Sequence, residues 1–121
     1  MNTFFELKDV TKRNEYFRQV LFTGKHSQLV VMSLEPGEEI GEEIHDVDQF
    51  LYAVKGSGRV GLDGTWSEFE KGEAICVPAG TAHNVVAAMD EPLKLFTIYS
   101  PPQHAAGTIQ EAKPAHEMAP A

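Results

Sequence analysis

Four side chains in this sequence have the types and spacing to grip a cation: Glu43, His45, Gln49 and His83. Glu43 and His45 are two residues apart, so on extended backbone both leave the same face. Gln49 follows four residues later, where a polar interval gives way to the apolar run Phe50, Leu51, Tyr52, Ala53, Val54. His83 arrives from about thirty residues downstream, directly after the apolar stretch 74–77 and the turn Pro78–Ala79–Gly80. Two imidazoles and one carboxylate with open positions form the donor set of non-heme iron sites, and the set also suits manganese, nickel or zinc. A carboxamide oxygen is a weaker ligand than either, so Gln49 binds the ion directly or holds a water bound to it. Direct ligation is expected. The competing view of Glu43 is a solvated acidic face, since Glu35, Glu38, Glu39 and Glu42 surround it. Its spacing to His45 favours the ligand.

These side chains need strands and tight turns to bring them together, and the chain supplies both. Short runs at 16–23, 28–34, 50–54, 59–62, 65–69, 74–77, 84–88 and 93–99 carry apolar or alternating residues between Gly, Pro and Asp punctuation. Asp63–Gly64 is the strongest hairpin signal, because this pair tolerates the positive φ of a type I′ turn. Gly80 is suited to the tight bend before His83. The opening Phe4–Phe5–Glu6–Leu7 reads as an edge strand, and 9–14 as a loop or a single helical turn. No segment has a capped helical period, so the expectation is an all-β chain with little helix, folded as an antiparallel sandwich or barrel.

Composition narrows the partners. At 121 residues the chain makes one domain with a core of useful size. A net charge of −8 argues against nucleic acid and anionic membrane, which select basic faces. No apolar run is long enough to span a bilayer, and the N-terminus lacks the pattern of a signal peptide. The single cysteine, Cys76, forms no internal disulfide, which points to the cytoplasm. Between Ile75 and Val77 it is expected to be a buried, inert thiol.

The two stretches 37–56 and 72–87 resemble the paired motifs of the cupin superfamily. The first motif runs glycine, five residues, His-x-His, three or four residues, glutamate, six residues, glycine. Here Gly37 and Gly56 stand at its ends, Glu43 replaces the first histidine, His45 matches the second, and Gln49 takes the glutamate position. The second runs glycine, five residues, Pro-x-Gly, two residues, histidine, three residues, asparagine. Gly72, Pro78, Gly80 and His83 match it, and Ala87 takes the last position. The resemblance implies a double-stranded β-helix, or jelly-roll, barrel over residues 1–109, with 110–121 as a loose tail. Small single-domain chains of this look are similar to the mannose-6-phosphate-isomerase-like group.

The resemblance further implies a divalent metal held by Glu43, His45, Gln49 and His83, with an apolar cavity above it lined by Phe50, Tyr52, Trp66 and Phe96. His104 is a candidate acid–base group if the segment after Pro101–Pro102 folds back to the barrel mouth. Three functional readings follow. The first is a small-molecule enzyme, of isomerase, decarboxylase or dioxygenase type, using the metal as a Lewis acid on an oxygen-chelating substrate. The second is a non-catalytic carrier or sensor of a metal or small apolar ligand. The third is a metal-free relative whose site has decayed at Gln49 and Ala87. A homodimer is expected, formed through Phe4–Leu7 or the 16–23 strand, because short jelly rolls expose sheet edges.

Overall fold

Alternation and turn residues set the element boundaries. In the computed structural model, which describes residues 2–114, the order is α1 (Leu7–Arg13), β1 (Arg18–Thr23), β2 (Gln28–Leu34), β3 (Asp48–Lys55), β4 (Ser57–Leu62), β5 (Thr65–Glu70), β6 (Ala74–Val77), β7 (His83–Ala87), β8 (Leu93–Ser100) and β9 (Ile109–Gln110). Six strands form one sheet in the order β6-β3-β8-β2-β1-β9, and β5-β4-β7 form the second. The pairings within these strands are all antiparallel. The β4–β5 hairpin turns at Asp63 and Gly64, whose φ angles of +49° and +85° are the positive pair such a turn requires. The all-β jelly-roll expectation holds, with α1 as one short helix.

The core lies between the two sheets. Val30, Met32 and Leu34 of β2, Leu51 and Ala53 of β3, and Leu93 and Leu95 of β8 meet Val60, Phe69, Val85 and Ala87 from the smaller sheet. β2, β3, β4, β7 and β8 put every second residue into that layer, as period-two geometry demands, while β5 contributes Phe69 alone. Removing a buried leucine from such a core costs about 2–5 kcal/mol. Gly56 ends β3 at φ +89°, and a Cβ there would sit 2.3 Å from the Pro92 carbonyl oxygen, so neither the angle nor the space admits another residue.

Three features differ from the sequence reading. Phe4–Glu6 is not a strand; Phe4 is 84% exposed, and α1 begins at Leu7. Seven residues without a side-chain N-cap give too weak a periodic signal to announce a helix. It survives by packing against β8, β3 and β2, beside Lys94, whose ammonium donates to the Asn14 carbonyl. Burial of Lys94 lowers its pKa from the ordinary lysine value. The tail expected from residue 110 is tied down over its first residues. Gln110 pairs with Arg18, the Phe17 N–H donates to the Glu111 carbonyl, and the Lys113 ammonium donates to the Glu39 carbonyl. Residues 115–121 lie outside the described residues. Cys76 is exposed rather than buried, since β6 is an edge strand and Cys76 takes its outward parity, opposite Phe50.

Candidate metal centre

Glu43 and His45 sit in the irregular connection between β2 and β3, and backbone hydrogen bonds hold that connection in place. The Glu43 N–H donates to the His83 carbonyl and the His83 N–H to the Glu43 carbonyl, both at 2.9 Å. This isolated antiparallel bridge sets two residues forty positions apart side by side. Two residues on, the His45 carbonyl accepts from the Gly80 N–H at 2.7 Å. Gly80 has φ +84° with open space where a Cβ would be, so the backbone angle is what calls for glycine. The two sequence stretches are thus zipped together at the place where the candidate ligands leave the backbone.

The side chains then converge. Glu43, His45 and His83 present ligand atoms within 4.8 Å of one another, a grouping able to hold a metal ion. The His45 and His83 ring centroids are 5.3 Å apart. Glu43 Oε1 lies 3.4 Å from His45 Nε2, within ion-pair range. His83 Nδ1 is 2.9 Å from the Thr81 carbonyl oxygen, which can only accept, so Nδ1 carries the proton and the Nε2 lone pair is free to bind. Burial alone would raise the pKa of Glu43. The neighbouring His45, then Arg18 and His83, outweigh it and hold the carboxyl below its ordinary value.

Gln49 joins from β3. It is 5% exposed and pairs in register with Tyr99, whose ring meets the His45 ring edge-on at 6.0 Å. Its amide nitrogen donates to Thr97 Oγ1 at 3.1 Å, and its oxygen has no partner. His45 Nε2 and His83 Nε2 are likewise buried without a hydrogen-bond partner. Leaving a buried polar atom unsatisfied costs about 1–3 kcal/mol. The two imidazole nitrogens beside one carboxylate fit a divalent cation, which would satisfy both together.

Of the aromatic residues expected to line the cavity, Phe50, Tyr52 and Phe96 stand elsewhere, and Trp66 borders with His83 only a small pocket of about 90 Å³. The inward parity of β3 belongs to Gln49, Leu51 and Ala53, so Phe50 and Tyr52 project from the opposite face. There Phe96 stacks on Tyr52 at 5.2 Å and lies 6.3 Å from Phe50. Phe50, Cys76, Pro78 and Ile98 border a shallow outer groove of about 370 Å³. Trp66 is 44% exposed on the outside of the smaller sheet, flat against Gly61, with the Arg59 guanidinium 5.2 Å from its ring.

Three residues near the cluster escaped the sequence reading or were left open by it. Arg18 is 1% exposed, lies over the Phe17 ring at 5.0 Å and donates to Gln110 Oε1. The signal was its position two residues before Val20, on the inward parity of β1. Thr97 shares the inward parity of Leu95 and Tyr99 in the same way. His104 does fold back: its Nε2 is 3.3 Å from the Tyr99 hydroxyl. Gln28 holds it there, accepting from the N–H groups of Gln103 and His104 and donating to the His104 carbonyl.

A β-barrel of two antiparallel sheets with a histidine–carboxylate cluster between them defines a jelly-roll protein with a candidate metal centre. The chain belongs to the cupin family: the cupin domain model matches residues 30–99. It is 48% identical over 110 residues to YrkC of Bacillus subtilis (strain 168), covering 85% of this chain and 59% of that protein, so it spans less than two thirds of that relative. It is 40% identical over 114 residues to L612 of Acanthamoeba polyphaga mimivirus, covering 89% and 71%. Among solved structures, BH2720 from Bacillus halodurans superposes with a TM-score of 0.90 at 43% identity, covering 93% of this chain and 91% of that one. KdgF from Halomonas sp. superposes with a TM-score of 0.66 at 25% identity, covering 71% and 78%. No helix among the described residues is long and apolar enough to cross a membrane.

Proposed function

We propose that this cupin is a small-molecule enzyme that holds a divalent ion on Glu43, His45, Gln49 and His83 and acts on an oxygen-chelating substrate. The observation that carries it is the gathering of Glu43, His45 and His83, whose ligand atoms lie within 4.8 Å of one another and whose two imidazole Nε2 atoms are buried without a hydrogen bond. When bound, the ion supplies Lewis acidity toward a substrate oxygen. The protein's own residues supply the rest. Glu43, held anionic by its cationic and imidazole neighbours, gives the ligand set a single negative charge. The Thr81 carbonyl keeps the His83 proton on Nδ1, away from the centre. Tyr99 and His104, linked at 3.3 Å, form a hydroxyl–imidazole pair beside His45 that is suited to receiving or returning a substrate proton.

Isomerisation, decarboxylation and dioxygenation are all open to such a centre, with manganese, iron, nickel or zinc as the ion. The test is elemental analysis of the purified protein, followed by turnover of keto acids, diketones and sugars with each metal restored. Stoichiometric metal with turnover of one class supports the reading. Tight binding of one compound with no turnover makes the protein a carrier, and a natively purified sample without metal makes the site a decayed one. We also infer a cytoplasmic homodimer, supported by the single cysteine, the exposed Phe4 and the aromatic outer face of the larger sheet. Light scattering should give twice the chain mass of 13.3 kDa.

A further inference from the structure

A primary amide has two chemically different ends, and only its oxygen can ligate a cation while the amide stays neutral. Gln49 can therefore serve the centre in one of two orientations. In the orientation that ligates, the nitrogen end needs a partner, and Thr97 is that partner. Thr97 is completely buried on the inward face of β8, in register with Leu51, two residues along β3 from the Gln49–Tyr99 pair and so on the same face. Its hydroxyl oxygen accepts from Gln49 Nε2 at 3.1 Å. With the nitrogen so engaged, Oε1 is the end that remains, buried and without a partner. In the opposite orientation the NH₂ group would offer the cation no lone pair.

We propose that Thr97 is a positioning residue that anchors the Gln49 amide nitrogen and so leaves its oxygen available to the Glu43–His45–His83 cluster, making a neutral carboxamide serviceable as the fourth ligand. The inference rests on the metal reading above and goes beyond it by assigning a task to a residue that touches no metal. Thr97 acts through one hydrogen bond, as the outer partners of ligating histidines do. Loss of such partners typically weakens metal binding by about 10–100-fold. A valine at this position keeps nearly the same volume and removes the acceptor. A serine keeps the acceptor and removes a methyl group.

The experiment is a cobalt(II) titration of the metal-free protein, read by affinity and by the visible ligand-field bands. It uses wild type, Thr97→Val, Thr97→Ser, Gln49→Leu and the Thr97→Val/Gln49→Leu double variant. Expected are an affinity at least tenfold weaker and shifted bands for Thr97→Val, with Thr97→Ser close to wild type. Gln49→Leu should be weakened, and adding Thr97→Val to it should change nothing further, because the hydrogen bond has lost its donor. An unchanged affinity and spectrum in Thr97→Val, or an equal loss in the Gln49→Leu background, overturns the inference and leaves the metal site standing. Absence of cobalt binding by wild type overturns both. The Gln49 side-chain NH₂ resonances of the metal-free protein give an independent reading. They should move in Thr97→Val and hold in Thr97→Ser, and unmoved resonances in Thr97→Val would show that the hydrogen bond is not formed.

Discussion

The two faces of the larger sheet are built from the same strands and carry comparably apolar side chains, yet they serve different ends. Along β3, Leu51 and Ala53 on one face are fully buried, while Phe50 and Tyr52 on the other are only half-buried. The inner face also holds the hydrogen-bonded pair Gln49 and Thr97, and Tyr99, whose ring lies 6.0 Å from that of His45. The outer face holds Phe50, Tyr52, Phe96 and the exposed Cys76. What separates them is the second sheet, which closes over one face alone. Inside, burial makes each polar atom costly unless it binds something, so polar residues there point to a ligand. Outside, aromatic residues next to water point to contact with another surface.

The sharpest way to break this comparison is to remove the inner face's chemistry. The double variant His45→Ala/His83→Ala should lose stoichiometric metal by elemental analysis, whereas Phe50→Ala should retain it. Full metal in the double variant would sink the centre. The next largest effect is on stability. Leu51→Ala should destabilise the fold by about 2–5 kcal/mol in urea unfolding, as core truncations do. Phe50→Ala, with its side chain half in solvent, should cost clearly less, and equal losses would mean that the outer face is covered.

Metal removal comes next. If the centre loads as proposed, a free-ion concentration a hundred times the dissociation constant should raise stability by about 2.7 kcal/mol, and a chelator should reverse it. The same titration on Trp66→Ala should give the same shift, since Trp66 stands outside the barrel. The smallest effect concerns pH. The carboxyl pKa of Glu43 is lower in the folded protein than its ordinary value of 4.5. Its contribution to stability is therefore fully present above that value and is lost as pH falls through the lower, folded one. Metal-free Glu43→Gln should show a shallower fall in melting temperature below about pH 4.5 than wild type, and identical acid limbs would remove Glu43 from the linkage.

Much of the fold was legible because strands and turns are local. Asp63–Gly64 calls for a two-residue hairpin in any context, and β2 and β6 occupy the runs that alternation marks. The candidate ligands were legible by type and by the two-residue spacing of Glu43 and His45. The helix α1 was not, since its stability comes from packing on the sheet rather than from its own seven residues. The positions of Phe50, Tyr52 and Phe96 were misread for a different reason. Aromatic character suggests the cavity, yet Gln49 and Phe50 are adjacent and must point to opposite faces. Arg18 and Thr97 were missed because a polar residue on an inward parity looks, in one dimension, like one on an outward parity.

Alternation, turn residues and donor types are written at separations of one to four residues, and the sequence alone was enough for them. The meeting of Glu43 with His83, the closing of one sheet face and the direction of the Gln49 amide depend on strands forty or more positions apart coming into register. Only the folded chain decides these, because hydrogen bonding and burial act through distance in space and are blind to distance along the backbone.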